Sequence, residues 1–163
     1  MKVVFLDVDG VLNCGESKSR CGCFIGIDDS RVKLLKEIIE KTDAKIVLVS
    51  TWKFGWEPID KEAMDRGGIY LDKKMKRQGL TIIDKTYDRG WNRGQGINQY
   101  LEKHPGITSW IILDDETFEY EEEGVISHLV KTSFYNDGLQ ETHVKDAIAR
   151  LNESDGTKIE KGA

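Results

Sequence analysis

The chain has 163 residues, 39% of them hydrophobic and 33% charged, a length that suits one domain with a sizeable interior and a composition unlike that of a disordered chain. Its formal charge of -5 offers no general attraction to nucleic acid or anionic membrane, so a polyanion partner would need a local basic patch. The first apolar run, Val3 to Leu6, is far too short for a secretory core or a membrane span, which leads to the expectation of a cytoplasmic protein without a membrane partner.

Lys2 to Leu6 is the first predicted strand. The loop that follows holds all three cysteines, Cys14, Cys21 and Cys23. An odd number of thiols with no fourth ligand nearby favours reduced, unligated side chains over a disulfide scaffold or zinc. Ser30 to Lys41 places Val32, Leu34, Leu35, Ile38 and Ile39 at helical spacing, with Asp29 or Ser30 as its N-cap. Lys45 to Val49 is a second apolar strand. Ile69 to Gln78, stopped by Gly79, is a weaker helical stretch, and Thr81 to Ile83 a short strand. Arg93 to Lys103 predicts a helix stopped near Pro105, Trp110 to Leu113 a strand, and His128 to Thr132 another. After the turn signal Asn136-Asp137-Gly138, Gln140 to Leu151 predicts the last helix, and residues 152–163 read as a polar tail beyond a domain of residues 1–151. Strands of nearly continuous apolarity alternating with helices predict a three-layer α/β fold around a mostly parallel five-stranded sheet. Ligands in such folds bind beyond the carboxyl ends of the strands.

Three strand ends bring chemistry to that edge. The first strand ends in Asp7-Val8-Asp9-Gly10, two carboxylates that are expensive to place together without a cation or a substrate. Hard oxygen ligands of this kind suit magnesium. The second long strand ends in Ser50-Thr51-Trp52, where hydroxyls can donate to a phosphoryl oxygen without adding charge. The fourth ends in Asp114-Asp115. An isolated acidic pair is as well explained by turn capping; three such ends on one rim are not.

This combination resembles the haloacid dehalogenase superfamily of aspartate-nucleophile phosphohydrolases over residues 2 to 151, and its finer pattern is similar to small members linked to RNA-repair proteins. The resemblance implies a Rossmann-like fold, and the short intervals between motifs leave no room for a separate cap domain. It implies that Asp7 is the nucleophile and Asp9 the general acid and base. Ser50, Thr51, Gly10 and the amides beyond Asp9 would bind the phosphoryl group. A motif-three cation is placed at Arg93, with Arg89 and Lys85 as alternatives. Magnesium would be held by Asp7, by the Asp9 carbonyl and by Asp114 or Asp115, with Asp114 the first choice. The implied activity is phosphomonoester hydrolysis on a small molecule or an exposed macromolecular end, a nucleic-acid end included. A non-catalytic module of the same fold, or a phosphotransferase or phosphomutase, is the alternative.

Outside these motifs the loop from Cys14 to Gly26 is a candidate flap. Lys73, Lys74, Lys76 and Arg77 read as a solvated helix surface sooner than a nucleic-acid track. Glu119, Glu121, Glu122 and Glu123 read as an exposed loop. Trp52, Trp56 and Trp91 are better explained by packing than by stacking on a ligand, and the three histidines by surface or packing roles.

Overall fold

The computed structural model describes residues 1–89 and 91–156, the last three of these by their backbone. Seven strands and four α-helices are present among them: β1 Lys2–Leu6, β2 Arg20–Cys21, β3 Phe24–Ile25, α1 Asp29–Thr42, β4 Lys45–Leu48, α2 Arg66–Arg77, β5 Ile82–Lys85, α3 Arg93–Lys103, β6 Ser109–Asp114, β7 Leu129–Lys131 and α4 Glu141–Gly156. Five strands form a parallel sheet in the order β5-β4-β1-β6-β7. The chain lays β4 and β5 on one side of β1, then crosses back to lay β6 and β7 on the other. This reversal puts the carboxyl end of β1 at a topological switch point, where the strand ends part and leave a crevice.

The sheet is covered on both faces, which is why its strands lack polar alternation. Val4 and Leu6 of β1 point into one core with Val32, Leu35 and Ile38 of α1, Leu71 and Met75 of α2, and Val144 and Ala147 of α4. Val3 and Phe5 point the other way, into a second core with Ile97 and Tyr100 of α3 and with Tyr120 and Val125 from the segment after β6. Phe5 meets the Tyr100 and Trp110 rings edge-on at 5.8 Å, an arrangement that suits the ring quadrupoles.

The expected strands and helices are all present, with shifted ends. The N-cap of α1 is Asp28, not Asp29 or Ser30. Its carboxylate caps nothing; Oδ2 accepts instead from Ser17 Oγ at 2.5 Å and from Arg31 Nη1 at 2.7 Å, tying the cysteine loop to the helix start. Helix α2 begins three residues before Ile69, at Arg66, because Asp65 accepts from the Gly68 amide at 2.8 Å and caps a Gly-Gly start that propensity alone disfavours. Helix α4 runs to Gly156, past Leu151, while the remainder of the expected tail, 157–163, lies outside the described residues. The interval from 53 to 92 is used by α2 and β5 within the main fold. The cysteine loop holds an antiparallel hairpin, β2 with β3, and its cysteines are free thiols.

Candidate active site

Asp7 follows the last residue of β1, and its amide donates to the Leu113 carbonyl of β6 at 2.8 Å. The sheet ladder thus continues through it and aims its side chain over the strand ends. Asp114 closes β6 next door and is fully buried, and Asp115 follows. The three carboxylates each offer an oxygen within 4.8 Å of the others. Gly10 makes this possible: it sits at φ +83°, and a Cβ there would lie 2.3 Å from Asp115 Cγ. Its amide is taken by Asn13 Oδ1 at 2.9 Å, and the Val11 and Leu12 amides close onto the Val8 carbonyl. Gly10 therefore provides room for Asp115, and its amide, expected on the phosphoryl group, is spent within the turn.

One guanidinium answers the acidic trio. Arg93, the first residue of α3, places Nη1 2.7 Å from Asp114 Oδ2 and 3.1 Å from Asp7 Oδ1, with its guanidinium carbon 4.1 Å from the centre of the Phe118 ring. Of the three cations considered from sequence, Arg93 is the one the structure brings to Asp7 and Asp114. Lys85 Nζ instead donates to the carbonyls of Lys53 at 2.9 Å and Trp56 at 2.7 Å and to Glu57 at 3.1 Å, which fastens the turn after β4. Arg89 is exposed in the loop before α3.

Burial pushes Asp7 well above the usual carboxylate range, Asp114 adds to this by repulsion, and Arg93 opposes it. Burial and then Asp114 push Asp115 up to about 6, while a hydrogen bond with Asp7 pulls the other way. For Arg93, burial works against the charge, but Asp7 and Asp114 outweigh it and hold the group above the usual arginine range. With every carboxylate ionised, three negative charges face one positive charge. The residual of about two charges in a buried place is what a divalent cation neutralises. The trio thus fits a metal in charge and in donor type.

Asp114 and Asp115 are not equivalent. Asp114 Oδ2 also accepts from the Tyr120 hydroxyl at 2.7 Å, and its Oδ1 accepts from the Glu116 amide at 3.0 Å. Burial and Asp114 push the Tyr120 phenol above its ordinary range, so it remains a donor. Asp9 stands apart from the trio. It is exposed, its Oδ1 accepting from Asn13 Nδ2 at 2.8 Å and its Oδ2 from Trp52 Nε1 at 3.0 Å. Ser50 is 1% exposed and caps a 3-10 turn, Thr51–Phe54, its hydroxyl accepting from the Trp52 amide at 3.3 Å. Thr51 is exposed.

A family model for the HAD domain in Swiss Army Knife RNA repair proteins matches residues 3–144. The chain belongs to this family. The match takes in every residue of the site, from Asp7 after β1 to Asp115 after β6, and HAD abbreviates the haloacid dehalogenase superfamily whose motif order the sequence resembles. No curated protein and no solved structure matches the chain significantly. In this HAD domain the carboxylate at the end of the central strand lies beside Asp114 and Asp115 and faces the Arg93 guanidinium.

Two residues bonded to site carboxylates, Tyr120 and Asn13, carried no motif signal. Tyr120 lies inside the acidic run yet is fully buried, and the same run is not a plain exposed loop, since Glu123 accepts from Asn92 Nδ2 at 2.8 Å at the cap of α3. Asn13 and the Trp52 indole orient Asp9. Lys53, 4% exposed, lies against Thr86 and Asp88, and burial lowers it below the usual lysine range. Trp56 is core, as expected, but Trp91 is 66% exposed. His104 and His128 stack on Tyr100 and Trp110, and His143 Nδ1 accepts from the Gln140 amide at the start of α4. In the basic cluster of α2, Lys74 pairs with Asp29 and Lys76 with Asp72. No helix among the described residues is long and apolar enough to cross a membrane.

Proposed function

We propose that this HAD domain is a magnesium-dependent phosphomonoesterase that works through a phosphoryl group carried on Asp7, and that its substrate presents a phosphate at an exposed end. The observation that carries the reading is the placement of Asp7: 3% exposed at the switch point of the sheet, with Arg93 on one oxygen and two further carboxylates beside it. A carboxylate held this way is short of solvation and already aimed, which suits a nucleophile.

Asp7, the Asp9 backbone carbonyl and Asp115 would hold the ion. Asp115 is preferred to Asp114 as the direct ligand, because Asp114 is occupied by Arg93, Tyr120 and the Glu116 amide and so serves to hold Arg93 in place. When bound, the divalent ion supplies charge neutralisation to the phosphate and to the carboxylates around it. Asp7 attacks phosphorus, forming an acyl phosphate as the bond to the leaving oxygen breaks, and the leaving oxygen takes its proton from Asp9. Asp9 then removes a proton from the water that attacks phosphorus, releasing phosphate and restoring the Asp7 carboxylate. Asn13 and Trp52 hold the Asp9 carboxylate by both oxygens and fix where it presents its proton. Arg93 and the Ser50 hydroxyl stabilise the equatorial oxygens of the transferring group.

Exposed phosphate ends fit the architecture, because the interval between the second and third motifs holds only α2, β5 and two 3-10 turns among the described residues, and the insertion after β1 holds the two-residue strands β2 and β3. The family description, which speaks of RNA repair proteins, supports a nucleic-acid end as one such substrate. The test is a phosphate-release screen with and without magnesium, run over phosphosugars, nucleotides and 3′- or 5′-phosphorylated oligonucleotides, with Asp7→Asn beside the natural chain. Release that needs the metal and vanishes in the folded Asp7→Asn protein is expected; equal release from both proteins would overturn the assignment.

A further inference from the structure

The mouth of the site carries aromatic side chains that the cores do not use. Phe24 on the β2–β3 hairpin is 72% exposed, and Phe54 at the end of the 3-10 turn is 62% exposed. Exposed rings gathered at one place mark a surface that meets something else. With Ile25, Trp52 and Phe134 they line a cleft of about 980 Å³ whose wall also includes Asp9. That volume lies at the upper end of the roughly 300–1,000 Å³ of ligand pockets. Segments far apart in sequence build it: the hairpin after β1, the turn after β4, the start of α2 and the loop after β7.

The position of Asp9 identifies the occupant, on the condition that the phosphatase reading holds. Asp9 is the group that faces the leaving oxygen, so a cleft walled by Asp9 receives the organic part of the leaving group, not the phosphate. A sugar or polyol in that place would need several hydrogen-bonding walls. Phe24, Ile25, Trp52, Phe54 and Phe134 make most of the lining apolar; beside Asp9 its polar side chains are Thr51, the thiols of Cys21 and Cys23, Asp65, which is engaged in capping α2, and Arg66, the one cation among the described residues that line it. A lining dominated by aromatic rings, with one guanidinium and few uncommitted hydrogen-bonding groups, matches a planar ring system with a polar rim. The hairpin and the turn leave the Phe24 and Phe54 rings open to solvent, so a chain attached to the ligand has a way out.

We propose that this cleft binds the base of the phosphate-bearing nucleotide, stacked against Phe24 and Phe54, with the leaving oxygen turned to Asp9. A free nucleotide and the end of a nucleic-acid strand share this chemistry.

The experiment compares kcat/KM for nucleoside 3′- and 5′-monophosphates, a short phosphorylated single strand and glycerol phosphate, which lacks a base. Preference for at least one nucleotide over glycerol phosphate by about tenfold is expected, and Phe24→Ala and Phe54→Ala should each reduce it about fivefold or more, chiefly through KM. Both side chains are exposed, so these variants fold. A strand favoured over the mononucleotide, with the same sensitivity to Phe24 and Phe54, assigns the ligand to a nucleic-acid end; the reverse order assigns it to a free nucleotide. Equal kcat/KM for nucleotide and glycerol phosphate overturns the cleft and leaves the phosphatase reading standing. So does a preference that both alanine variants retain. In parallel, equilibrium dialysis of Asp7→Asn with magnesium should show the nucleotide bound more tightly than glycerol phosphate. If the natural chain hydrolyses nothing while that difference persists, the phosphatase reading fails and the cleft survives; if neither ligand binds, the cleft fails.

Discussion

Replacing Arg93 with methionine removes the cation paired with Asp7 and Asp114 while keeping most of the side-chain volume, and the size of the response depends on what else neutralises the carboxylates. Arg93 is 8% exposed and contacts Asp7 at 3.1 Å and Asp114 at 2.7 Å. Breaking a buried pair by deleting one partner costs about 3–5 kcal/mol. In a chain of this length each kcal/mol moves Tm by roughly 2–4 °C, so a loss of about 6–20 °C is expected for metal-free Arg93→Met at pH 8. The loss should shrink on acidification. Asp7 already has a raised folded pKa, which Arg93 holds down, and without Arg93 it rises further above its unfolded value. Groups so raised destabilise the native state above the folded pKa, and stability returns as pH falls and they bind protons in the native state first. Saturating magnesium should shrink the loss as well, by supplying the missing positive charge. The assay is a set of melting curves at pH 5.5 and 8, in chelator and in magnesium. An unchanged deficit under all four conditions would mean that Arg93 acts by packing on Phe118, and the electrostatic account of the site would be refuted. Phosphate release by the variant is expected to fall by about 10²–10³ in kcat, as when one donor to the developing charge is lost.

Two other perturbations probe the same trio. Asp115 is held up to about 6 against an ordinary value of 3.8, so in metal-free protein the native state keeps a proton between those values that the unfolded chain releases. Stability should therefore fall as pH rises through that window, and Asp115→Asn should flatten the slope in urea melts from pH 4.5 to 7; an identical slope in both proteins would contradict the assignment. Gly10→Ala forces a Cβ to within 2.3 Å of Asp115 Cγ at φ +83°. A destabilisation of about 1–3 kcal/mol is expected from the backbone alone, together with roughly 10–100-fold weaker divalent binding by calorimetry as Asp115 is displaced.

Much of this arrangement was legible in the sequence because burial leaves a dense signal. The strands β1, β4 and β6 are apolar runs that end abruptly in Asp or Ser, and that abruptness is the sheet edge itself. Helix α3 was readable at both ends, since Asn92 accepts from the Gln95 amide as its N-cap and Pro105 follows its last turn. The convergence of Asp7, Arg93 and Asp114 followed from strand order once the fold was known. What escaped were side chains whose role depends on a single contact. Tyr120 sits among glutamates, and nothing local distinguishes it from a surface tyrosine; only the packing of 117–125 under α3 turns it to Asp114. Asn13 and Trp52 look like loop and packing residues until their donors are seen on Asp9. The β2–β3 hairpin has strands of two residues each, too short for a period of two to register. The choice between Asp114 and Asp115 was open because adjacent acids are indistinguishable until their hydrogen-bond partners are counted.

The central claim is that Asp7 carries the phosphoryl group during turnover. The most direct measurement is acid quenching during turnover of a substrate labelled in its phosphate, followed by peptide mapping. The expected result is hydroxylamine-labile label on the peptide containing Asp7, absent from Asp7→Asn. Turnover with no covalent label at any time point, or label on a different residue, would contradict it.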